Sequence, residues 1–292
     1  NALKHYAKPV ANAVGMLADK IIENKGKKIV LVSLARAGIP IGILVKRYIK
    51  FKYDINMPHY SISIIRGRGI DDNAMKYLLE KYRPQQILFV DGWIGKGAIL
   101  NELKKDISAY EGVSADIAVV ADPANVTELC GTHEDILIPS SCLNSTVSGL
   151  ISRTFLRDDI IGRDDFHGAV YYGELTDSDL SYDFIETIEK EFNMENTPDL
   201  EKRVESQGID EVINIGKNFG IDDINLIKPG IGETTRVLLR RIPWKVLIDE
   251  RYKGNPQLEH IVRLAEEKHT PVEYYPLTHY KCCGIIKKLA DA

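Results

Sequence analysis

An apolar run that ends in an acid and continues into a glycine-rich loop constrains the fold of this chain more than any other feature. Residues 87–90 have strand character, Asp91 follows, and residues 92–97 contain three glycines and a lysine before Ala98 opens a helix. Glycines let backbone N–H groups approach phosphate oxygens, and the positive end of the helix dipole favours the same anion. The pattern favours a phosphorylated-sugar site with Asp91 on ribose hydroxyls. An ordinary tight turn between strand and helix is the alternative.

A second segment repeats this arrangement. The apolar residues 29–32 lead into small residues around Arg36, and a helix is predicted over residues 43–49. Both loops would lie at the carboxyl edge of one parallel sheet, where open α/β folds bind ligands. A loop of small residues can wrap a diphosphate through its backbone while the guanidinium of Arg36 caps the anion.

Strands and helices alternate along the first two thirds of the chain, which predicts an α/β fold with a parallel, doubly wound sheet. Helices are expected over residues 10–22, 39–49, 74–82, 99–107 and 145–155, and strands over 59–65, 116–120 and 136–139. No apolar run approaches the length of a membrane span, so no membrane partner is expected.

These loops carry a resemblance to known proteins. Residues 33–42 resemble the diphosphate loop of type I phosphoribosyltransferases, and residues 90–99 resemble their phosphoribosyl-diphosphate (PRPP) loop. The runs VSLARAGIPIGILVKRY, PHYSISIIRGRGID, FVDGWIGKGAI, IPSSCLNSTVSGLISRT and KPGIGETTRVLLRR resemble phosphoribosyltransferase-like proteins of tellurium-resistance-associated operons. That family is also labelled StiP, with a cysteine protease description, and its members end in a pelota-type RNA-binding domain. The resemblance covers nearly the whole chain.

The resemblance implies that the chain binds PRPP or a ribose 5-phosphate nucleotide, with Mg²⁺ carried by the diphosphate, and transfers ribose 5-phosphate to a nitrogenous acceptor in a stress-associated pathway. Asp91 is followed by Gly92 instead of a second acid, and Lys96 stands where these loops have a threonine. The missing acid leaves a non-catalytic nucleotide- and RNA-binding regulator as an alternative. The candidate substrate-binding residues are Ser33, Ala35, Arg36, Ala37, Gly38, Gly92, Gly95, Lys96, Gly97 and Ala98; no protein metal ligand is expected.

The segment Arg66-Gly67-Arg68-Gly69 has two interpretations. It is either a basic surface turn or a mobile cover whose arginines swing in on glycine hinges to stabilise the departing diphosphate. The second interpretation adds Arg66 and Arg68 to Asp91 as catalytic candidates.

The cysteines Cys130, Cys142, Cys282 and Cys283 form no C-x-x-C pair and have no zinc-type spacing to histidine, which indicates a reducing compartment and a cytoplasmic protein. Cys142 is the candidate nucleophile for a protease, the least favoured alternative, because no histidine pairs with it from sequence alone. A packed side chain is the expected role of Cys142.

The acidic, polar stretch after Phe192 marks a boundary. We therefore divide the chain into a phosphoribosyltransferase-like domain (1–192), a connecting segment (193–232) and a smaller α/β domain (233–292), in which residues 237–243 have strand character. This last unit resembles the pelota and ribosomal-L7Ae RNA-binding fold. Because the net charge is −4, RNA binding requires a local basic patch, for which the candidates are Arg236, Arg240, Arg241 and Lys245. A solvated basic face is the alternative, and homo-oligomerisation is left open.

Overall fold

The computed structural model describes residues 2–142, 145–197 and 205–288. Its first unit contains six helices and a six-stranded sheet, whose order is β3-β2-β1-β4-β5-β6. The strands are β1 (Val30–Ala35), β2 (His59–Ile65), β3 (Gly69–Ile70), β4 (Ile87–Trp93), β5 (Ile117–Ala121) and β6 (Cys130–Thr132). The helices are α1 (Ala2–Lys25), α2 (Gly38–Tyr53), α3 (Asp72–Lys81), α4 (Ala98–Ile107), α5 (Pro139–Cys142) and α6 (Ser181–Glu189).

The sheet is parallel from β2 to β6, and only β3 runs antiparallel as the return of a hairpin with β2. Side chains alternate between its two faces because successive strand residues point in opposite directions. Leu31 packs with α1, α2 and α6, whereas Val30 and Val32 pack with α3 and α4. Helices therefore cover both faces, as the alternating pattern predicted.

Two predicted elements between residues 136 and 155 are wrong. Residues 136–138 are apolar and buried but form no strand, and Leu137 packs among side chains of the second unit. After a short 3-10 turn, Gly149 and Leu150 both adopt positive φ, which ends any helix there. The β-branched run that follows forms β7 (Ile151–Phe155), which pairs antiparallel with β8 (Gly168–Tyr171).

The second unit is a four-stranded mixed sheet with the order β11-β10-β12-β9. Its elements are α7 (Gly208–Phe219), β9 (Ile227–Pro229), α8 (Ile231–Arg240), β10 (Pro243–Ile248), α9 (Glu259–Glu267), β11 (Val272–Tyr274) and β12 (Cys282–Ile286). α8 and α9 cover one face and α7 covers the other. Because β9 pairs with β12, part of the stretch interpreted as a connection belongs to this sheet.

Of residues 237–243, predicted as a strand, the first four end helix α8 and Pro243 begins β10. Ile231, Thr234 and Leu238 are fully buried, at the spacing of one helix face, whereas Leu239 is 48% exposed. The apolar residues 237–239 are consecutive, a pattern that is also typical of a buried strand. The helical spacing becomes visible only when the preceding turn is included. Among the described residues, no helix has the length and apolar character needed to cross a membrane.

Candidate functional site

Asp91 lies at the carboxyl end of β4, beside the loop that leaves β1. Ser33 pairs with Val90 across these strands, so the two predicted ligand loops leave the same edge of the sheet. A Cβ on Gly38 would lie 2.6 Å from the carbonyl oxygen of Val90 and 3.3 Å from Oδ1 of Asp91. This close approach explains why position 38 requires a residue without a side chain. Burial raises the pKa of Asp91 to about 7, although the N–H of Gly92 donates to its Oδ1 at 2.7 Å. A cation or hydroxyl donor at this carboxyl group would favour its ionised form.

The side chain of Ser33 faces the interior. Its Oγ lies 2.8 Å from Nε2 of His59 in a hydrogen bond, and burial lowers the pKa of His59 to about 4. Ala35 is the last residue of β1, Ala37 lies in the turn after it, and the buried Gly38 is the first residue of α2, so only small side chains border this edge.

Arg36 lies where the two units meet. Its Nε donates to the carbonyl oxygen of Ser152. Burial lowers the pKa of the Arg36 guanidinium, and the nearby charges of Arg236 and Arg240 from α8 act in the same direction. Positive charge from α8 of the second unit therefore acts on the loop predicted to hold a diphosphate.

The glycine-rich loop after β4 is attached to the second unit. Lys96 Nζ donates to the carbonyl oxygens of Ile224 (2.9 Å) and Ile227 (3.0 Å), and burial and the nearby Lys228 lower its pKa to about 8. The hydroxyl of Tyr280 donates to the carbonyl oxygen of Gly95 at 2.6 Å. The Lys96 ammonium, predicted to face a 5-phosphate, is therefore engaged by backbone carbonyls.

The backbone around this loop keeps features of an anion site. A Cβ on Gly92 would lie 2.4 Å from Ser141 Oγ, and Gly97 adopts φ +83° immediately before α4. Ala98, the first residue of α4, is exposed. The first N–H groups of a ten-residue helix therefore remain at this edge, where they can donate to a phosphate.

Arg66 and Arg68 lie on the β2–β3 hairpin, beside helix α4. They flank the exposed turn of the β2–β3 hairpin, and the N–H of Gly67 donates to Oε1 of Glu102 on α4 at 3.1 Å. Arg68 lines a surface cavity of about 570 Å³ whose described lining does not include Asp91. None of the contacts described for the two arginines involves Asp91.

The four RNA-binding candidates do not share one environment. Arg236 forms an ion pair with Glu233 at 2.6 Å, and Arg236 and Arg240 lie near Arg36. Lys245 pairs with Glu273 at 2.7 Å, and its ammonium lies 4.5 Å from the ring centroid of Phe219. Arg241 follows α8 and is exposed.

The structure brings together a thiol, an imidazole and a carboxylate that sequence reasoning missed. Cys130 Sγ lies 3.3 Å from Nε2 of His133, and His133 Nδ1 donates to the backbone carbonyl of Asp122 at 2.9 Å. The Cys130-x-x-His133 spacing was visible in the sequence. The carboxylate was not, because Asp122 belongs to the loop after the neighbouring strand.

The other cysteines offer no comparable pairing within the described residues. Cys282 and Cys283 are fully buried in β12, where burial raises the pKa of both thiols. Thr234 Oγ1 lies 3.5 Å from Cys282 Sγ. The side chain of Cys142, the sequence candidate for a nucleophile, lies outside the described part of the structure.

Two solved phosphoribosyltransferase structures are remotely similar to this chain. A hypoxanthine-guanine phosphoribosyltransferase from Bacillus anthracis is 17% identical, with a TM-score of 0.31 over 42% of this chain and 71% of that chain. A hypoxanthine-guanine-xanthine phosphoribosyltransferase is 11% identical, with a TM-score of 0.31 over 58% of this chain and 93% of that chain. Scores this low add nothing to the fold described above.

Comparison with sequences is decisive about the family. The model of the family "Tellurite-like stress resistance cysteine protease StiP" matches residues 1–189, and the model of the "PELOTA RNA binding domain" matches residues 206–288. A curated relative from Acinetobacter baylyi, named "Cysteine protease StiP", is 32% identical over 309 residues, covering 99% of this chain and 80% of the relative. The resemblance predicted from the sequence is confirmed: the chain belongs to the StiP family and carries a pelota-type RNA-binding domain.

Proposed function

We propose that the chain binds PRPP at the carboxyl edge of its six-stranded sheet and transfers the ribose 5-phosphate of PRPP to a nitrogenous acceptor. The observation that supports this best is the approach of Arg36 to Arg236 and Arg240, beside the loop that contacts Asp91. These guanidinium groups give this edge positive charge, part of which the carboxylate of Glu233, paired with Arg236, offsets, and an anionic ligand would supply further negative charge. A diphosphate supplies that charge and accepts bidentate hydrogen bonds from arginine.

The remaining parts of PRPP fit the neighbouring groups. Asp91 accepts hydrogen bonds from ribose hydroxyls, and this contact offsets the desolvation that raises its pKa to about 7. The exposed N-terminus of α4 at Ala98 receives the 5-phosphate through backbone N–H groups. Mg²⁺ fits as an ion carried mainly by the diphosphate and water, because Asp91 is the one carboxylate expected at the ribose.

In the proposed transfer reaction, the main role of the protein is to stabilise the charge that develops on the diphosphate. The bond between C1 of the ribose and the diphosphate oxygen breaks, and its electron pair leaves with the diphosphate. A nitrogen lone pair of the acceptor forms the new bond to C1, and the nitrogen proton passes to solvent. In this proposal Arg36 stabilises the charge on the departing diphosphate, and Arg66 and Arg68 join it when the hairpin moves from Glu102.

Calorimetry with PRPP at millimolar Mg²⁺ tests binding. Wild type should bind, whereas Arg36→Ala should weaken binding by about 10- to 100-fold because it removes a charge-assisted contact worth about 1.5–3 kcal/mol. Arg153→Ala is the matched control, since Arg153 is an exposed arginine of β7. Absence of PRPP binding by the folded protein would refute the proposal.

Diphosphate release with bases, amines and RNA as acceptors tests transfer separately. Release with any acceptor supports the transferase. Tight PRPP binding without diphosphate release in the presence of any acceptor would reject the transferase function. The chain would then be interpreted as a regulatory protein that binds PRPP or a nucleotide.

A thiol-dependent hydrolase is the second candidate. It is favoured by the name of the Acinetobacter baylyi relative and by the 3.3 Å approach of Cys130 Sγ to His133 Nε2. In such an enzyme the imidazole removes the thiol proton and the thiolate attacks a peptide carbonyl carbon. Cys130 is fully buried, so a substrate could reach its sulfur only after local opening. Loss of peptide hydrolysis in Cys130→Ser, but not in Cys142→Ser, would support this candidate and place its nucleophile; loss in neither would remove it.

The pelota-type domain contributes RNA binding to either activity. We place this domain at residues 206–288, which leaves residues 193–205 as the connection, and we place its action in the cytoplasm. Structured RNA would contact the exposed cations, Arg241 among them. Binding should weaken as salt increases, because phosphate contacts release counterions.

A further inference from the structure

We propose that Asp122, Cys130 and His133 form a binding site for one transition-metal cation of the Zn²⁺ class. Each residue offers one ligand atom, and the three atoms all lie within 4.8 Å of one another. Thiolate, imidazole and carboxylate are the donors that Zn²⁺ takes in proteins, with ligand distances of about 2.0–2.3 Å. The proposal depends neither on PRPP binding nor on hydrolysis.

His133 is held in the tautomer that a metal requires. Its Nδ1 donates to the backbone carbonyl of Asp122 at 2.9 Å, so this nitrogen carries the ring proton. The lone pair is then on Nε2, which faces Cys130 Sγ at 3.3 Å. Metal-binding histidines typically donate their second ring N–H to a carbonyl or carboxylate in this way, which fixes the ring and raises its basicity.

The carboxylate of Asp122 is oriented as firmly as the imidazole. Its Oδ2 accepts the N–H groups of Val126 at 2.7 Å and Thr127 at 2.8 Å, within the turn that follows β5. The N–H of Asp122 in turn donates to the carbonyl oxygen of Thr132 on β6 at 2.9 Å. Hydrogen-bonded carboxylates of this kind are usual at protein metal sites.

Burial gives the cation an electrostatic role. Asp122 and Cys130 are both fully buried, whereas the side chain of His133 is 24% exposed. A divalent cation neutralises a buried carboxylate and thiolate together, and the thiol proton passes to solvent when the metal binds. Water can reach a fourth coordination position from the side of His133, which would make this an open, three-ligand site.

The donor set also separates this site from the Mg²⁺ that accompanies PRPP. Thiolate and imidazole select softer cations, whereas Mg²⁺ takes oxygen ligands and phosphates. A metal-bound Cys130 thiolate is no longer free to attack a carbonyl group. Any hydrolysis through Cys130 would therefore belong to the metal-free protein, and bound Zn²⁺ would inhibit it.

Titration of the chelator-treated full chain with Co²⁺ tests the site without an activity assay. Wild type should develop a thiolate-to-cobalt charge-transfer band that saturates at one Co²⁺ per chain and disappears on addition of Zn²⁺. Cys130→Ser should lose the band, and His133→Gln should bind at least about 10-fold more weakly. Cys283→Ser is the matched control, because it removes a buried thiol with no histidine contact among its described interactions.

A second measurement uses wild type alone, in case a substitution prevents folding. Under conditions in which local opening lets the buried Cys130 of the metal-free protein be alkylated, Zn²⁺ should slow that alkylation, as measured by mass spectrometry, and should leave the labelling of Cys142 unchanged. The proposal is overturned if no charge-transfer band forms, if the band survives in folded Cys130→Ser, or if Zn²⁺ does not protect Cys130.

Discussion

Replacing Asp91 by asparagine should make the ligand-free protein more stable, and the gain should grow with pH. The carboxyl group is desolvated at the end of β4, and burial raises its pKa from 3.8 to about 7. The folded chain therefore holds this proton more tightly than the unfolded chain does. Asparagine keeps an oxygen that accepts the N–H of Gly92 and removes the buried charge.

The size of the effect follows from the two pKa values. The contribution of the Asp91 carboxyl group to stability is fully present below its unfolded-state pKa of 3.8. It is lost as the pH rises towards about 7, because Asp91 ionises in the unfolded chain first. The difference between the two pKa values corresponds to about 4 kcal/mol of unfolding free energy, because each pKa unit is worth about 1.4 kcal/mol. Between pH 5 and pH 8 wild type should lose about 2–3 kcal/mol that Asp91→Asn keeps.

Urea unfolding followed by circular dichroism at pH 5 and pH 8 measures this difference. Asp222→Asn is the control, since Asp222 is exposed and its substitution should change stability by less than about 0.5 kcal/mol at either pH. The same stability difference between Asp91→Asn and wild type at both pH values would refute the desolvation of Asp91. That result would also remove the physical reason for expecting Asp91 to accept hydrogen bonds from ribose hydroxyls.

Three further outcomes are expected. Lys96→Met should lower the free energy of unfolding by about 2–3 kcal/mol in urea titration, because two backbone carbonyls of the second unit lose a charged donor. Tyr280→Phe removes a single hydrogen bond to Gly95 and should lower it by about 1 kcal/mol, so an equal loss in both variants would contradict the assigned contacts. If the hairpin closes over PRPP, the double substitution of Arg66 and Arg68 by alanine should slow diphosphate release by about 100-fold while calorimetry gives an unchanged Kd; a parallel loss of affinity would place these arginines in ground-state binding instead.

The βα units could be predicted because their signals are local. Strand β4, Asp91 and the loop before α4 occupy one continuous stretch of sequence. The apolar residues of β4 pack into the cores on both faces of the sheet, which makes the strand recognisable from the sequence. The edge at which both loops meet follows from parallel pairing, which the helices between strands require. The family could be predicted for a related reason, since long motif runs span nearly the whole chain.

The wrong predictions share a different physical origin. Leu137 is apolar because it packs against the second unit, and a sequence window cannot distinguish that contact from a place in a sheet. The role of Lys96 at a phosphate stays a prediction; it uses the loop alone, whereas the carbonyl oxygens that accept hydrogen bonds from Lys96 lie about 130 residues further along the chain. The Cys130–His133 contact also depends on tertiary structure, since it needs the strand pairing that brings the Asp122 loop beside β6.

Contacts between the units bear on the PRPP and RNA binding proposed above, because they hold α8 of the second unit beside the first unit. Asp135 of the first unit accepts the backbone N–H groups of Ile231 (3.0 Å) and Lys281 (2.9 Å), and burial raises its pKa to about 6. Separating the units would break both bonds and the contacts of Lys96, so their arrangement is held at several points. α8 begins at this buried contact and carries Arg236 and Arg240 towards Arg36. A diphosphate among these guanidinium groups and an RNA phosphate on α8 would therefore compete for the same charges, and each should weaken binding of the other.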